Sequence, residues 1–193
     1  MSHNEVVVFY GTETGNSQDL AEKSIEILES DGIKARIDNL ESVKPDDLTK
    51  IERAIFIVST WGEGDPPLDA EDFYNELQEF DQNLYNLRYG IMGLGDRSYS
   101  IFNGFAKDLD NSLGKLGATR LGERVEADLD YEDEFQDFTD NKTFFAIKME
   151  LNKNITVGYS DHTKGWLASN NAVAMGAKII DCLLYTSPSP RDS

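Results

Sequence analysis

Residues 11–17 read GTETGNS and lie between an apolar run, residues 6–10, and a helical pattern that starts near residue 18. A loop of this kind points several backbone N–H groups at one place, and the helix start adds roughly half a positive charge. Three hydroxyl side chains add further donors: Thr12, Thr14 and Ser17. The segment lacks both the G-x-x-x-x-G-K-[ST] pattern of nucleoside-triphosphate loops and the G-x-G-x-x-G pattern of dinucleotide sites. It therefore predicts a phosphate site that uses no lysine or arginine.

Two further loops combine glycine with aromatic side chains. Residues 60–67 read TWGEGDPP and residues 95–100 read GDRSYS, and each segment follows a continuous apolar run. An aromatic ring such as that of Trp61 or Tyr99 offers a flat face to a flat ligand. Alone, either loop also fits an ordinary turn whose aromatic side chain packs into the core. Together with the phosphate loop, they favour a planar ring system that carries one phosphate.

The elements around these loops alternate between strands and helices. Apolar runs predict strands over residues 5–10, 33–37, 54–59, 89–94 and 120–127. Helical patterns cover residues 18–31, 69–80, 103–116 and 132 to about 151, with an interruption at Asn141 and Lys142. This alternation predicts an α/β fold with a doubly wound parallel sheet. Ligands of such sheets bind beyond the carboxyl ends of the strands, where the three loops lie.

The charge of the chain limits its partners. The 193 residues include 36 acidic and 18 basic side chains, for a net charge of −18. An anionic surface repels nucleic acid and anionic membranes and favours basic protein partners, although it also serves solubility alone. No apolar run reaches the roughly 18 residues of a membrane span, and we expect no signal peptide. Cys182 is the one cysteine of the chain, so we expect no internal disulfide and no metal site. We expect a cytoplasmic protein that is a monomer.

Three motifs, in this order and spacing, resemble a known family: TETGNS, STWGEGDPP and LGDRSYSIFN. They are similar to the FMN-binding flavodoxin-like domains of sulfite reductase flavoprotein, cytochrome P450 reductase and nitric-oxide synthase reductase, and to small stand-alone flavodoxins. The resemblance covers about residues 6–138, and residues 122–131 look most like the sulfite reductase version. It implies a flavodoxin-like five-stranded parallel sheet of order 2-1-3-4-5 with helices on both faces. It also implies FMN as the cofactor and single-electron transfer as the function.

The resemblance implies three groups of FMN contacts. The phosphate would be held by Thr12, Glu13, Thr14, Gly15, Asn16 and Ser17. One side of the isoalloxazine ring would lie along Ser59, Thr60, Trp61 and Gly62. The other side would be covered by Leu94, Gly95, Asp96, Arg97, Ser98, Tyr99, Ser100, Ile101, Phe102 and Asn103, with Tyr99 stacked on the ring. Asp128 would place an acid near the flavin, and no catalytic or metal-binding residue is implied.

Two of these features bear on redox tuning. Trp61 departs from the tyrosine, glutamine or histidine of relatives, which leaves open whether its ring stacks on the flavin or shields an edge. The peptide of Gly62 would offer its carbonyl to flavin N5–H in the one-electron reduced cofactor, because glycine changes its peptide orientation cheaply. Nearby carboxylates would oppose an anion on the fully reduced ring and make it a stronger reductant.

The same resemblance implies protein partners. The acidic segments 63–72 and 126–137 would flank the flavin edge and steer a basic redox partner towards it. An NADPH/FAD reductase would be the electron donor, and the acceptor is not identified. The chain would serve as a stand-alone carrier or as the FMN module of a diflavin reductase.

Two other functions fit the same topology less well. A flavin enzyme that reduces quinones or similar small molecules by hydride transfer is the main alternative, and the STWGEGDPP loop argues against it. A phosphoacceptor signalling domain needs paired acids after the first strand and an aspartate after the third. Residues 10–12 (YGT) and 59–60 (ST) stand at those places instead.

The last part of the chain has a weaker pattern. Residues 1–151 are predicted to form the FMN-binding domain, and residues 152–193 a tail. Within this tail, residues 172–184 have a helical pattern. The final residues, 183–193, resemble translated adaptor sequence and are predicted to be non-native.

Overall fold

The computed structural model describes residues 5–151, 158–161 and 179–182. The chain divides into two compact units, Met1–Leu151 and Asn152–Ser193. Among the described residues, no helix is long and apolar enough to cross a membrane. The same residues contain no group of histidine, cysteine, aspartate and glutamate side chains that could hold a metal ion.

The first unit is built on a parallel sheet. Its strands are β1 (Glu5–Gly11), β2 (Lys34–Asn39), β3 (Arg53–Ser59), β4 (Arg88–Leu94), β5 (Thr119–Arg120) and β6 (Val125–Ala127). The strand order is β2-β1-β3-β4-β5, and β6 also pairs with β4. This arrangement confirms the predicted α/β class and the order 2-1-3-4-5.

Helices connect the strands. They are α1 (Asn16–Ser30), α2 (Pro45–Leu48), α3 (Leu68–Gln78), α4 (Gly104–Lys115), α5 (Glu132–Asp137) and α6 (Thr143–Leu151). A short 3₁₀ helix, Leu40–Ser42, precedes α2, and a π-helical turn, Phe138–Lys142, joins α5 to α6.

The core lies on both faces of the sheet. Successive residues of β3 alternate between the two layers, with Phe56 in one and Ile57 in the other. The first layer includes Phe73 of α3 and Leu109 of α4. The second is filled from α1 and from the helical segments after β6, by Leu20, Leu28, Phe138, Phe144 and Ile147. Helices therefore cover both faces, as expected for a sheet whose strands read as continuous apolar runs.

The fifth strand is shorter than the sequence predicts. Residues 120–127 were expected to form one strand, but the chain leaves the sheet after β5 and returns at β6. Arg120 pairs with Tyr89 of β4, and Val125 pairs with Met92. Two extra residues are accommodated in between, at a turn where Gly122 has a φ of 79°. Glycine adopts this left-handed conformation without steric cost, which explains the break.

The last helical region was predicted to contain an interruption at Asn141 and Lys142, and both residues lie in the π-helical turn. A π turn adds a residue to the helical repeat and rotates the face that follows it. The buried apolar residues after the turn are accordingly Phe144 and Ile147. Phe135, before the turn, is partly buried, and Phe138, at its start, is fully buried.

In the second unit, strands β7 (Gly158–Asp161) and β8 (Ile179–Cys182) pair in parallel. The helix predicted over residues 172–184 is therefore wrong at residues 179–182. The rest of that segment and the final residues 183–193, predicted to be non-native, lie outside the described residues.

Candidate functional site

Three loops meet at the carboxyl ends of β1, β3 and β4 and form one cleft. They are the phosphate loop (residues 12–17), the second loop (residues 60–67) and the third loop (residues 95–103). Thirteen of the 21 residues that the resemblance singled out line this cleft: Glu13, Thr14, Asn16, Ser59, Thr60, Trp61, Gly62, Leu94, Gly95, Asp96, Tyr99, Ile101 and Asn103.

The other eight do not line the cleft: Thr12, Gly15, Ser17, Arg97, Ser98, Ser100, Phe102 and Asp128. Leu129 lines the cleft although the sequence reasoning did not select it. The sequence signal that could have identified Leu129 is an isolated leucine within the acidic segment 126–137. In the structure its side chain is 70% exposed.

The phosphate loop has a backbone suited to an anion. Gly15 is the residue before α1 and has a φ of 94°. Its N–H donates to Thr12 Oγ1 at 2.9 Å, which fixes the start of the loop. Because Gly15 has no side chain to cap the helix, the first amides of α1 are available to a ligand. Ser17 Oγ is buried and has no hydrogen-bond partner.

The second loop is a tight turn that presents Trp61. The Trp61 N–H donates to the Asp65 carbonyl at 2.8 Å, and the Asp65 N–H donates back to the Trp61 carbonyl at 2.9 Å. Gly62 and Gly64 between them have φ values of 51° and 114°. Trp61 remains 55% exposed, so the interpretation in which its ring packs into the core is excluded.

The third loop carries Tyr99 on the same cleft, with its side chain 47% exposed. At the end of the loop, Asn103 is buried and has a φ of 54°. Its Nδ2 donates to the Ala127 carbonyl at 3.1 Å. The Gly95 N–H donates to the same carbonyl at 3.0 Å. These two bonds join both ends of the third loop to β6.

Glycines bring the second and third loops into direct contact. A Cβ atom on Gly104, the first residue of α4, would lie 2.6 Å from the Cα of Gly64. A Cβ atom on Gly64 would lie 2.9 Å from Ile101 Cγ2. No side chain fits between the two loops, so both positions require glycine.

Among the described residues, two that line the cleft have a buried side-chain oxygen without a hydrogen-bond partner, Thr60 Oγ1 and Asn103 Oδ1; a third such oxygen, Ser17 Oγ, lies in the phosphate loop outside the cleft lining. Buried polar atoms are normally paired, so an unpaired set at one cleft indicates a ligand with several polar groups. Thr60 and Asn103 line the same cleft as Trp61 and Tyr99. The residues present therefore fit FMN, a planar polar ring with a phosphate.

The electrostatics of the cleft are acidic. Among the described residues that line it, Glu13 and Asp96 are acids and none is lysine or arginine. Hydrogen bonds from the Ser98 side chain and then its backbone lower the pKa of Asp96. That carboxyl is therefore charged at neutral pH.

Asp128 faces a cation rather than the cleft. Its carboxylate accepts the Arg97 N–H at 3.1 Å and lies 3.4 Å from Arg97 Nε. The Arg97 guanidinium also lies 4.6 Å from the centre of the Phe102 ring. The charge that the resemblance assigned to Asp128 is thus partly offset by Arg97.

Two residues that the sequence reasoning missed support the phosphate loop. The Asp69 carboxylate accepts the Thr12 N–H, and Asn39 Nδ2 donates to the same carboxylate. An acid in the first turn of a helix, as Asp69 is in α3, is common because it faces the positive helix end. The sequence therefore carried no signal of this long-range contact.

Comparison with known proteins identifies relatives of this fold. A family model described as flavodoxin matches residues 8–139. A second model, described as NeuB family, matches residues 140–186. The sulfite reductase [NADPH] flavoprotein alpha-component of Bacillus subtilis is 39% identical over 130 residues, which are 67% of this chain and 22% of that protein. The NADPH–cytochrome P450 reductase of Sus scrofa is 35% identical over 121 residues, 60% of this chain and 18% of that protein.

Solved structures give the same result. A flavodoxin from Streptococcus pneumonia TIGR4 superposes with a TM-score of 0.65 at 28% identity, covering 78% of this chain and 99% of that chain. A short-chain flavodoxin associated with a bacterial microcompartment superposes with a TM-score of 0.66 at 27% identity, covering 76% and 98%. The chain spans only about a fifth of the length of the curated relatives. Because the flavodoxin model matches more than half of its residues, the chain belongs to the flavodoxin family and contains an FMN-binding electron-transfer domain.

Proposed function

We propose that this domain carries single electrons, on FMN bound in the cleft of the three loops, from a reductase to an acceptor protein. One observation carries the proposal. The rings of Trp61 and Tyr99, each about half exposed, line the same cleft as the lysine-free phosphate loop. Large aromatic side chains at an open cleft offer stacking surface to a planar cofactor.

Each loop would have its own task in binding FMN. The amides and hydroxyls of residues 12–17 would hold the phosphate without a cation. Residues 59–62 would lie along one side of the ring, and residues 94–103 would cover the other. Thr60 Oγ1 and Asn103 Oδ1, buried without partners, would pair with polar atoms of the cofactor. When bound, FMN supplies the redox chemistry, and the protein orients it and tunes its potential.

Gly62 would control the balance between one- and two-electron chemistry. It has a left-handed backbone, with a φ of 51°, inside the turn closed by Trp61 and Asp65. Glycine tolerates both orientations of the following peptide. Since the hydrogen bonds of the turn are made by Trp61, Gly64 and Asp65, the peptide between Gly62 and Glu63 can change orientation without breaking them.

The rim of the cleft would bind partner proteins. Four of the exposed large apolar side chains line the cleft: Trp61, Tyr99, Ile101 and Leu129. Acids lie among and around them, including Glu13, Glu63 and Asp65, in a chain of net charge −18. An apolar centre with an acidic rim suits a partner with a basic rim. An NADPH/FAD reductase would be the donor, and the domain would act in the cytoplasm as a monomer or as a module of a larger reductase.

Stepwise reduction of the purified protein with FMN tests the proposal. The chain should bind FMN, quench its fluorescence, and develop a long-wavelength absorbance band at half reduction. Reduction in one two-electron step without this band, together with rapid quinone turnover, would favour a hydride-transfer enzyme instead. Failure of the wild-type chain to bind FMN would contradict the proposal altogether.

A further inference from the structure

A reciprocal pair of hydrogen bonds joins the phosphate loop to the first turn of α3. The Thr12 N–H donates to both carboxylate oxygens of Asp69, at 2.9 and 3.1 Å. In the opposite direction, the Leu68 N–H donates to Glu13 Oε2 at 3.2 Å. The partners lie 57 and 55 residues apart in the sequence. These bonds therefore fix two distant parts of the chain relative to each other.

Asp69 is held from a further direction by β2. Asn39 Nδ2 donates to Asp69 Oδ2 at 3.1 Å. The Oδ1 atom of Asn39 accepts the Glu41 N–H at 2.8 Å, and this bond sets which end of the amide faces Asp69. The carboxylate thus has two donors in fixed directions and little freedom to rotate.

Close packing lets Asp69 reach the loop. Gly11, which directly precedes the loop, has no room for a side chain. A Cβ atom there would lie 2.9 Å from Ala70 Cβ and 3.4 Å from Pro67 Cγ. The end of β1 therefore lies directly against the start of α3.

The contact between Asp69 and Thr12 determines which hydrogen-bond donors of the phosphate loop are free to bind a ligand. The Thr12 N–H is occupied by Asp69, and Thr12 Oγ1 accepts the Gly15 N–H. The first residue of the loop is therefore fixed through both its backbone and its side chain. The later donors of the loop, among them Thr14 on the cleft and the first amides of α1, then remain for a ligand.

We propose that Asp69 is a positioning residue for phosphate binding, which acts by holding Thr12 so that the following amides and hydroxyls face the FMN phosphate. Asp69 does not line the cleft, so it acts through Thr12 and not by touching the cofactor. Because α3 follows the second loop directly, the same contact also couples the phosphate site to the loop that carries Trp61. The inference rests on the binding of FMN by this domain.

Comparing FMN with riboflavin isolates the effect, because riboflavin has the same ring without the phosphate. Dissociation constants for both flavins are measured by fluorescence quenching on the full chain at one pH and salt concentration. Asp69→Ala should weaken FMN binding at least about tenfold, equivalent to about 1.4 kcal/mol. Its affinity for riboflavin should change less than roughly twofold. Glu71→Gln, at an exposed acid in the same helix, should change neither affinity by more than about twofold.

Two further variants keep the test informative if Asp69→Ala does not fold. Asp69→Asn retains shape, but it removes the charge and replaces one of the two oxygens that accept the Thr12 N–H with an NH2 group. The hold on Thr12 should weaken, and FMN binding should weaken selectively. Asn39→Ala retains the charge of Asp69 but removes the hydrogen bond from Asn39 that supports it. This variant should also weaken FMN binding selectively, to a smaller extent. Tighter FMN binding by Asp69→Asn would overturn the inference, because repulsion between carboxylate and phosphate would then outweigh positioning.

Equal losses for both flavins, or unchanged FMN binding by Asp69→Ala, would likewise overturn the role of Asp69. A wild-type chain that binds neither flavin would instead contradict the proposed function. The two failures are therefore distinguishable in the same experiment.

Discussion

Tyr89, on β4 in the sheet, donates its phenolic hydrogen to the Asp110 carboxylate of α4 across 2.6 Å. Both side chains are buried. Burial first, and then the hydrogen bond to Asp110, raises the pKa of Tyr89, so its hydroxyl remains a donor at physiological pH. Arg120 and Arg124 contact the same carboxylate from either side of the break in the fifth strand. Asp110 therefore links the helix, the sheet and the irregular strand.

Removing this carboxylate should destabilise the fold. We expect Asp110→Ala to lower the free energy of unfolding by about 2–3 kcal/mol, because Tyr89 and two arginines lose the carboxylate that they share, and Tyr89 keeps only the Asp110 backbone carbonyl, at 3.1 Å. This loss of stability is smaller than the largest losses seen when buried ion pairs are broken, because the side chains of Arg120 and Arg124 are 37% and 22% exposed. Urea unfolding measures the effect. Asp108→Ala, at an exposed acid in the same helix, is the control and should change the value by less than about 0.5 kcal/mol.

The two aromatic residues of the cleft should contribute to the affinity for the flavin ring. Aromatic contacts are worth about 0.5–1.5 kcal/mol beyond their buried area. Trp61→Ala and Tyr99→Ala should therefore weaken FMN and riboflavin binding alike, by roughly two- to tenfold each. Tyr85→Ala removes an aromatic side chain that is 71% exposed and does not line the cleft. Fluorescence titration that finds a loss only with FMN would contradict ring stacking.

The acidic rim should make partner association depend on salt. Electron transfer to a basic acceptor protein should slow as ionic strength rises, because surface charges are screened within about 10 Å at 0.1 M salt. The double variant Glu63→Gln/Asp65→Asn should be slower at low salt and less sensitive to added salt. Glu22→Gln, on the exposed surface of α1, should behave like wild type. Stopped-flow rates independent of salt would exclude electrostatic steering.

Asp69 should give the stability of the flavin-free protein a pH dependence of a definite sign. Burial is the main cause that raises the pKa of Asp69. Between its unfolded and folded pKa values the native state binds more protons, so this residue lowers stability as the pH rises. Relative to Asp69→Asn, the wild type should therefore lose unfolding free energy from about pH 4 towards pH 7. Urea unfolding across this range checks the slope, and an increase with pH would contradict the raised pKa.

Much of the fold could be predicted because local pattern and tertiary structure agree. The run AIFIVS in β3 is apolar throughout because both of its faces are covered, and such runs are recognisable without a structure. The three loops were located because they follow the ends of such strands, where the sheet topology brings them together.

The features that sequence reasoning missed depend on contacts between distant residues. The break after Arg120 combines a left-handed Gly122 with the contact of two arginines to Asp110. The interruption at Asn141 and Lys142 was predicted, but not that it is a π turn. This turn coincides with the contact between Gly90 and Thr143, where a Cβ atom on the glycine would lie 1.9 Å from Thr143 Cγ2. Neither relationship is visible in the local periodicity of the chain.

The glycine contact between the second loop and α4 also bears on how this domain can be re-engineered. Since a Cβ on Gly104 would lie only 2.6 Å from the Cα of Gly64, main chain touches main chain at this edge of the cleft. The distance between the second loop and α4 is then set by backbone geometry and not by side-chain rotamers. Libraries that vary only side chains can alter the lining of the pocket but not its width at this edge. A bulkier flavin analogue would require a redesigned backbone in both segments at once.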